Sequence, residues 1–154
     1  MECRIPMRSG AAKILLAVIL AFSLEASVAE ETVVLVVSSD SPIEELSLLN
    51  VRKAYLGLSV GVDGGPVRPL RRQDDERLNL IFMQSVVAMS EKSYERRLLS
   101  LVLKFGTPRP TEVKNRDELL ELLARSPHSI GYMWKRDADS DDRVKTIRTL
   151  WQGR

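Results

Sequence analysis

The chain has 154 residues, a formal net charge of +2 and 44% hydrophobic residues. This length suits one compact domain, and the near-neutral charge argues against a nucleic-acid binder, which normally shows a clear basic excess. Cys3 is the only cysteine. An internal disulfide is therefore excluded, and the domain has to be held together by its hydrophobic core.

The N-terminus has the pattern of a cleaved signal peptide. Basic residues precede an apolar stretch of 11 residues (14–24), and Ser27-Val28-Ala29 supplies the small residues that a signal peptidase recognises. An apolar stretch of this length is too short to cross a bilayer core of roughly 30 Å as a helix. We expect residues 1–29 to be a signal peptide, cleaved near Ala29, and residues 30–154 to be one periplasmic or secreted domain. A retained membrane anchor is the alternative.

The mature chain opens with a strand and a helix. Residues 32–38 (TVVLVVS) form a continuous β-branched run, which is typical of a strand covered on both faces. Residues 47–57 predict a short helix, with Ser47 as its N-cap and Gly57 just after its end.

A turn, a strand and two helices follow. Residues 61–65 (GVDGG) predict the turn and residues 66–70 the strand, in which Pro69 favours a strand end or a sheet edge. Residues 78–89 predict an apolar helix, and a second helix follows, capped by Ser90 and closed by a glycine and a proline.

The last part of the chain predicts a helix between two strands. Residues 115–125 begin with a capping-box pattern, after a brief strand near 112–114. Residues 129–134 (SIGYMW) predict a strand, residues 137–142 (DADSDD) a solvated turn, and the spacing in 144–151 does not decide between strand and helix. Because strands and helices alternate, the sequence predicts a three-layer α/β/α sandwich with a small, mostly parallel sheet.

Catalytic chemistry has few candidates in this sequence. His128 is the only histidine, and no serine elbow or cysteine nucleophile accompanies it, so it predicts a solvated turn residue. A single histidine without cysteine cannot build a standard zinc site. We therefore expect neither an enzyme nor a cofactor.

A calcium-loop pattern begins in the acidic segment but is not completed. Asp137, Asp139 and Asp141 have the opening spacing, but Asp142 stands where the loop needs glycine and Arg148 where it needs glutamate. We expect no metal site.

The stretch RRQDDER (71–77) is the remaining candidate site. A helix beginning near Asp75 would present free backbone N–H groups to an anion, and one of Arg71 and Arg72 could share that position, because neighbouring strand residues point to opposite faces. The carboxylates of 74–76 could instead cap those N–H groups, which would make the stretch a self-capped bend with local salt bridges.

The order of several motifs resembles that of a known family. Tyr55-Leu56-Gly57 at a helix end, RRQD at 71–74 and SPHSIGY at 126–132 are similar to motifs of phosphate ABC transporter substrate-binding proteins, within the type 2 periplasmic binding protein superfamily. The similarity runs from residue 33 to about residue 150. Such proteins have two α/β lobes with the ligand between them, so the resemblance implies that this chain is a single lobe.

The resemblance also implies an anion site. The family's phosphate loop has the form R-R-x-D-G-S-G-T, which places Arg71, Arg72 and Asp74 as ligand-binding residues. Here 75–78 read Asp-Glu-Arg-Leu, without a small residue, so the loop is degenerate. The implied function is an exported solute-binding or accessory domain of phosphate or anion ABC uptake. Phosphate or another small oxyanion is the expected ligand, bound weakly, and a membrane transporter or sensor is the expected partner.

An interaction module without a small-molecule ligand is the alternative function. Tyr55, Trp134 and Trp151 are its candidate exposed anchors, because aromatic residues dominate interface hot spots. The sequence leaves the oligomeric state open.

Overall fold

The computed structural model describes residues 31–62 and 64–153, so the predicted signal peptide lies outside the described residues. The strands are β1 (Thr32–Ser38), β2 (Gly61–Val62), β3 (Gly65–Pro66), β4 (Arg68–Arg72), β5 (Thr111–Val113), β6 (Ser129–Trp134) and β7 (Val144–Gln152). The helices are α1 (Leu48–Tyr55), α2 (Glu76–Phe82), α3 (Glu91–Phe105), α4 (Arg116–Arg125) and α5 (Lys135–Asp139), and a π-helical turn (Met83–Val87) continues α2.

Five strands form one mixed sheet in the order β5-β4-β6-β1-β7. β4 is parallel to both β5 and β6, whereas β1 is antiparallel to both β6 and β7. Four of the five strands therefore point the same way, as the prediction of a mostly parallel sheet requires, and β1 alone is reversed. β2 and β3 pair with each other as a separate hairpin.

Helices cover both faces of the sheet and complete the predicted three-layer sandwich. Side chains of β1 alternate between two cores: Val33, Leu35 and Val37 pack with α1, α2 and α3, and Val34 and Val36 pack with α4 and α5. All seven residues of β1 are buried, which confirms a strand covered on both faces.

The helix ends form where the local sequence signals place them. The side chains of Ser47, Ser90 and Asn115 each accept a hydrogen bond from the backbone N–H three residues later. Gly57 and Gly106 have φ angles of +76° and +65°, in the left-handed region that terminates helices.

Of two predictions about local structure, the position of Pro69 was confirmed and the acidic turn was wrong in part. Pro69 lies near the beginning of β4, as expected, but β4 is an internal strand. Its lack of an N–H is tolerated because pairing with β5 begins only at Leu70. Residues 137–139 belong to α5 rather than to a turn, and Lys135 and Asp139 form an ion pair across that helix.

Candidate functional site

The two arginines of the charged stretch lie at the carboxyl end of β4 and are both nearly buried. Arg71 is 8% exposed and Arg72 is 5% exposed. Because they are neighbours on a strand, they point to opposite faces of the sheet. The structure therefore gives them different surroundings.

Arg71 is engaged by α3. Its guanidinium donates to Glu91 at 2.6 Å and to Glu95 at 3.3 Å, and it lies 5.1 Å from the centroid of the Tyr94 ring. These contacts join the sheet to the helix that covers it. Arg71 thus acts as a structural tie, although the sequence grouped it with the candidate ligand residues.

Arg72 forms a two-pronged pair with Asp74. Nε donates to one carboxylate oxygen at 2.9 Å and Nη2 donates to the other at 2.6 Å. The hydrogen bond from Arg72 lowers the pKa of Asp74, while burial opposes this shift. Burial alone would lower the pKa of Arg72, but the hydrogen bond and charge of Asp74 raise it.

One guanidinium nitrogen of Arg72, Nη1, takes no part in the pair with Asp74. Nη1 is buried and has no hydrogen-bond partner among the described residues. A buried guanidinium N–H without an acceptor is costly, so this nitrogen would gain from any acceptor that reached it. Arg72 and Asp74 thus lie together, as the sequence motif predicted, and are already paired with each other.

Asp75 occupies the position where a bound anion would meet the start of α2. One carboxylate oxygen accepts from the Leu78 backbone N–H at 2.9 Å, and the other accepts from the Trp134 indole N–H at 2.7 Å. The prediction of a self-capped bend is therefore confirmed for this residue. The contact with Trp134 was missed, because the two residues are 59 positions apart.

Arg77 and Leu78, which follow in the same stretch, also make contacts that are unrelated to an anion. Leu78 is fully buried in the core beneath α2, and Arg77 is exposed and paired with Glu31. Leu78 therefore adds apolar volume to the core and offers no hydroxyl to the site.

The other family-like motifs are explained by packing. The hydroxyl of Tyr55 donates to the Leu70 carbonyl on β4 at 2.9 Å. The ring of Tyr132 stacks on Phe82 with centroids 3.8 Å apart. A Cβ on Gly131 would lie 2.7 Å from a methyl group of a helix side chain in α4, so the glycine permits close packing there.

Burial contradicts two of the three predicted interface anchors. Tyr55 is 0% exposed and Trp134 is 6% exposed, because both pack in the core that lies under α1 and α2. Trp151 is only half-buried, at the edge of that core. These residues give no exposed aromatic cluster for a partner.

The remaining candidates do not form a catalytic or metal centre. His128 lies against Gly64 of the β2–β3 hairpin and its backbone carbonyl accepts from Arg68. Asp141 is paired with Arg143 and Arg116, and the hydrogen bond from Arg143 lowers its pKa to about 2. No group of acidic or histidine side chains in the described ranges could hold a metal ion.

A surface groove lies at the opposite end of β4 from Arg72. It has a volume of about 370 Å³ and is lined by Ala54, Gly57–Ser59, Pro66–Pro69, Thr107–Arg109 and Thr111. The sequence did not predict this groove, because its walls come from three separate segments of the chain.

The fold of this chain, unlike its sequence, is similar to that of known proteins. Neither a family model nor a curated protein matches the sequence. The structure resembles one lobe of substrate-binding proteins of phosphate ABC transporters. Among the helices that the structure describes, none has the length and apolar character needed to cross a membrane.

Three solved structures show the likeness. An ABC-type phosphate transport receptor from Vibrio cholerae is 15% identical with a TM-score of 0.56. PstS from Borrelia burgdorferi is 16% identical with a TM-score of 0.55. A Clostridium perfringens protein described as a phosphate ABC transporter substrate-binding protein, with bound phosphate, is 16% identical with a TM-score of 0.57.

Each of these matches covers 77% of this chain and 45% to 47% of the other chain. The chain thus spans less than half the length of the proteins it resembles. At this identity the likeness establishes a shared fold, and its extent fits the single-lobe form that the sequence motifs implied.

Proposed function

We propose that this chain is an exported, single-lobe solute-binding or accessory domain associated with the uptake of phosphate or a related oxyanion. The observation that carries the proposal is the buried Arg72, which is held by Asp74 and has an Nη1 without an acceptor among the described residues. The shared fold with phosphate-binding proteins supports it. Its role is binding rather than catalysis.

Arg72 and Asp74 form the anion site in this proposal. A doubly charged oxyanion would accept from Nη1, while Asp74 would keep the guanidinium plane fixed and accept a hydrogen bond from a protonated phosphate oxygen. Arg71 supports the site from the other face by fixing α3 to β4.

Binding in this site is weak for two reasons. The carboxylates of Asp74 and Asp75 lie close enough to act on the charge of Arg72, and they repel a second anion. A single lobe also leaves one side of the ligand in water, so the charge interactions are screened. We therefore propose an affinity in the millimolar range, about −4 kcal/mol.

Titration of the 30–154 domain with inorganic phosphate at low ionic strength tests the site, followed by calorimetry and by NMR chemical shifts. We expect Arg72→Gln to abolish binding. Arg77→Gln is the matched control, because it removes the same charge from an exposed side chain five residues away. An affinity unchanged in Arg72→Gln would remove the proposed site.

A second readout covers the case in which Arg72→Gln does not fold. In the unaltered domain, phosphate should shift the amide signals of residues 72 to 76 most strongly. If the shifts centre elsewhere, for example on the groove near Thr107, the site assignment is wrong.

The proposed partner is a membrane transporter or sensor on the periplasmic side. Two solved structures that share the fold, a phosphate ABC transporter substrate-binding protein and an ABC-type phosphate transport receptor, support this partner. Crosslinking of the domain in a periplasm that contains phosphate transporters would test it, and recovery of no membrane protein would contradict it.

A further inference from the structure

Helix α3 has a markedly uneven distribution of charge. Its two acids, Glu91 and Glu95, face Arg71 and Arg109 and are paired with them. Its four bases are exposed and have no ion-pair partner in the described part of the chain: Lys92, Arg96, Arg97 and Lys104. The outward face of the helix is therefore basic, without an acid to balance it.

Exposed apolar side chains lie among these bases. Leu99 is 51% exposed, Leu103 is 76% exposed and Phe105 is 74% exposed. The spacing of Lys92, Arg96, Leu99 and Leu103 is i, i+4, i+7 and i+11, so these four side chains form one stripe on the side of α3 opposite its buried residues. We call the four bases with Leu99 and Leu103 the α3 surface; Phe105 is exposed but lies seven residues after the buried Leu98, on the other side of the helix.

Helix α1, which covers the same face of the sheet, also combines bases that have no ion-pair partner among the described residues with an exposed leucine. Arg52 and Lys53 have no ion-pair partner among the described residues, and Leu49 is 60% exposed. The α1 and α3 helices are joined, since the Tyr94 hydroxyl donates to the Tyr55 carbonyl at 2.8 Å. Although the domain as a whole is nearly neutral, this helical layer is basic and partly apolar.

We propose that the α3 surface binds to the anionic surface of a phospholipid bilayer. Each base near such a surface is attracted to lipid headgroups, and the intervening leucine side chains, Leu99 and Leu103, can enter the boundary between headgroups and acyl chains. Lys92 and Lys104 are separated by twelve residues, or about 18 Å along the helix. The bases are spread along this length rather than converging on one point, which suits an array of mobile headgroups better than a single fixed carboxylate.

This inference does not depend on the anion site, since the α3 surface shares no residue with Arg72 and Asp74. It implies that the domain is held at a membrane by its folded surface. The position would keep a solute-binding domain close to a membrane-embedded partner.

Co-sedimentation with vesicles tests the proposal. Both hydrophobic cores consist of residues between 33 and 150, so the 30–154 domain retains what folds it and lacks the apolar N-terminal stretch that would bind lipid by itself. We expect binding to phosphatidylcholine vesicles that contain about 30% phosphatidylglycerol and no binding to pure phosphatidylcholine. The binding should weaken as salt is added.

Two sets of variants locate the contact. The triple change Lys92→Gln, Arg96→Gln and Lys104→Gln should weaken binding by about 100-fold. The matched control changes three exposed bases on the opposite face of the sheet: Arg125→Gln, Lys135→Gln and Arg136→Gln. The control should bind as the unaltered domain does, because its bases lie away from the proposed contact.

A second variant, Leu99→Ser with Leu103→Ser, tests the apolar part of the α3 surface and should weaken binding without a change in thermal stability. Because both side chains are mostly exposed, neither substitution disturbs the core. Equal loss in the two charge variants would show a non-specific charge effect and overturn the proposal. Failure of the unaltered domain to bind acidic vesicles would also overturn it, and would leave an acidic protein as the occupant of this surface.

As a check that does not rely on truncation, the full-length chain can carry an environment-sensitive dye at Leu103→Cys in a Cys3→Ser background. Acidic vesicles should shift the dye emission to that of an apolar environment. A dye that still reports water, while the protein is bound to vesicles, would contradict the proposed orientation.

Discussion

Removal of the Asp75 carboxylate is the most informative single perturbation of the candidate site. Asp75→Ala loses the N-cap of α2, at about 1 kcal/mol, and leaves the buried Trp134 indole N–H without its acceptor, at about 1–3 kcal/mol. The expected loss in the free energy of unfolding is therefore about 2–4 kcal/mol. In a domain of this size the melting temperature should fall by roughly 10 °C.

Asp75→Asn separates the two contributions. The two carboxylate oxygens each accept one hydrogen bond, and asparagine has only one acceptor oxygen. It should lose about half as much stability as the alanine variant. Chemical unfolding followed by circular dichroism and tryptophan fluorescence measures both values.

Glu76→Ala is the control, because Glu76 is an exposed acid at the next position. Its loss should be less than about 1 kcal/mol, the size of a helix-dipole interaction. If Asp75→Ala is as stable as Glu76→Ala, the assignment of Asp75 as the side chain that fills the start of α2 is wrong.

Three further predictions follow from the packing and charge of the same region. Gly131→Ala places a Cβ 2.7 Å from Leu119 and should cost about 1–3 kcal/mol; adding Leu119→Ala should make the double variant less unstable than the sum of the single changes. The folded-state pKa of Asp74 lies below its ordinary 3.8 because of Arg72, so its contribution is present above that value and is lost as the pH falls through the folded pKa. Denaturant unfolding should accordingly show that Asp74→Asn is less stable than the original chain at pH 7 and that the difference shrinks as the pH falls below 3.8. Arg71→Met should cost about 2 kcal/mol in thermal unfolding, because two half-exposed glutamates lose their shared partner but can be resolvated.

Each of these three predictions has an outcome that would contradict it. Additive losses in the Gly131 and Leu119 variants would mean that the two positions do not touch. A stability difference for Asp74→Asn that persists unchanged into acid would show that its charge has no role. Arg71→Met should also be compared with the exposed Arg77→Met, and equal stability of the two would remove the structural tie between β4 and α3.

The features that the sequence predicted are those fixed by local interactions. Ser47 and Ser90 cap their helices by bonds that span three residues, and Gly57 supplies the positive φ that ends α1. The sequence also predicted the buried strand β1, because a strand with apolar side chains on both faces appears as a continuous run of apolar residues. These signals depend on few residues and little on tertiary context.

The features that were missed depend on contacts between distant segments. β7 is a strand because it pairs with β1, more than a hundred residues earlier, and its spacing alone could not show this. The reversed direction of β1 likewise follows from the topology of the whole sheet. In the site, the separation of Arg71 from Arg72 followed from strand geometry, but their partners on α3 and in the loop required the assembled structure. The sequence did contain one signal for the partners of Arg71: Glu91 and Glu95 are four residues apart, which places both carboxylates on one face of a helix.

The affinity of the monomeric 30–154 domain for inorganic phosphate tests the central claim most directly. A site made of one lobe, with Asp75 already bound to Leu78 and Trp134, should bind phosphate no more tightly than the millimolar range. Calorimetry at low ionic strength, on a sample shown to be monomeric by sedimentation, measures it. Micromolar or tighter binding, with Asp75 displaced from Trp134 in the complex, would contradict the account.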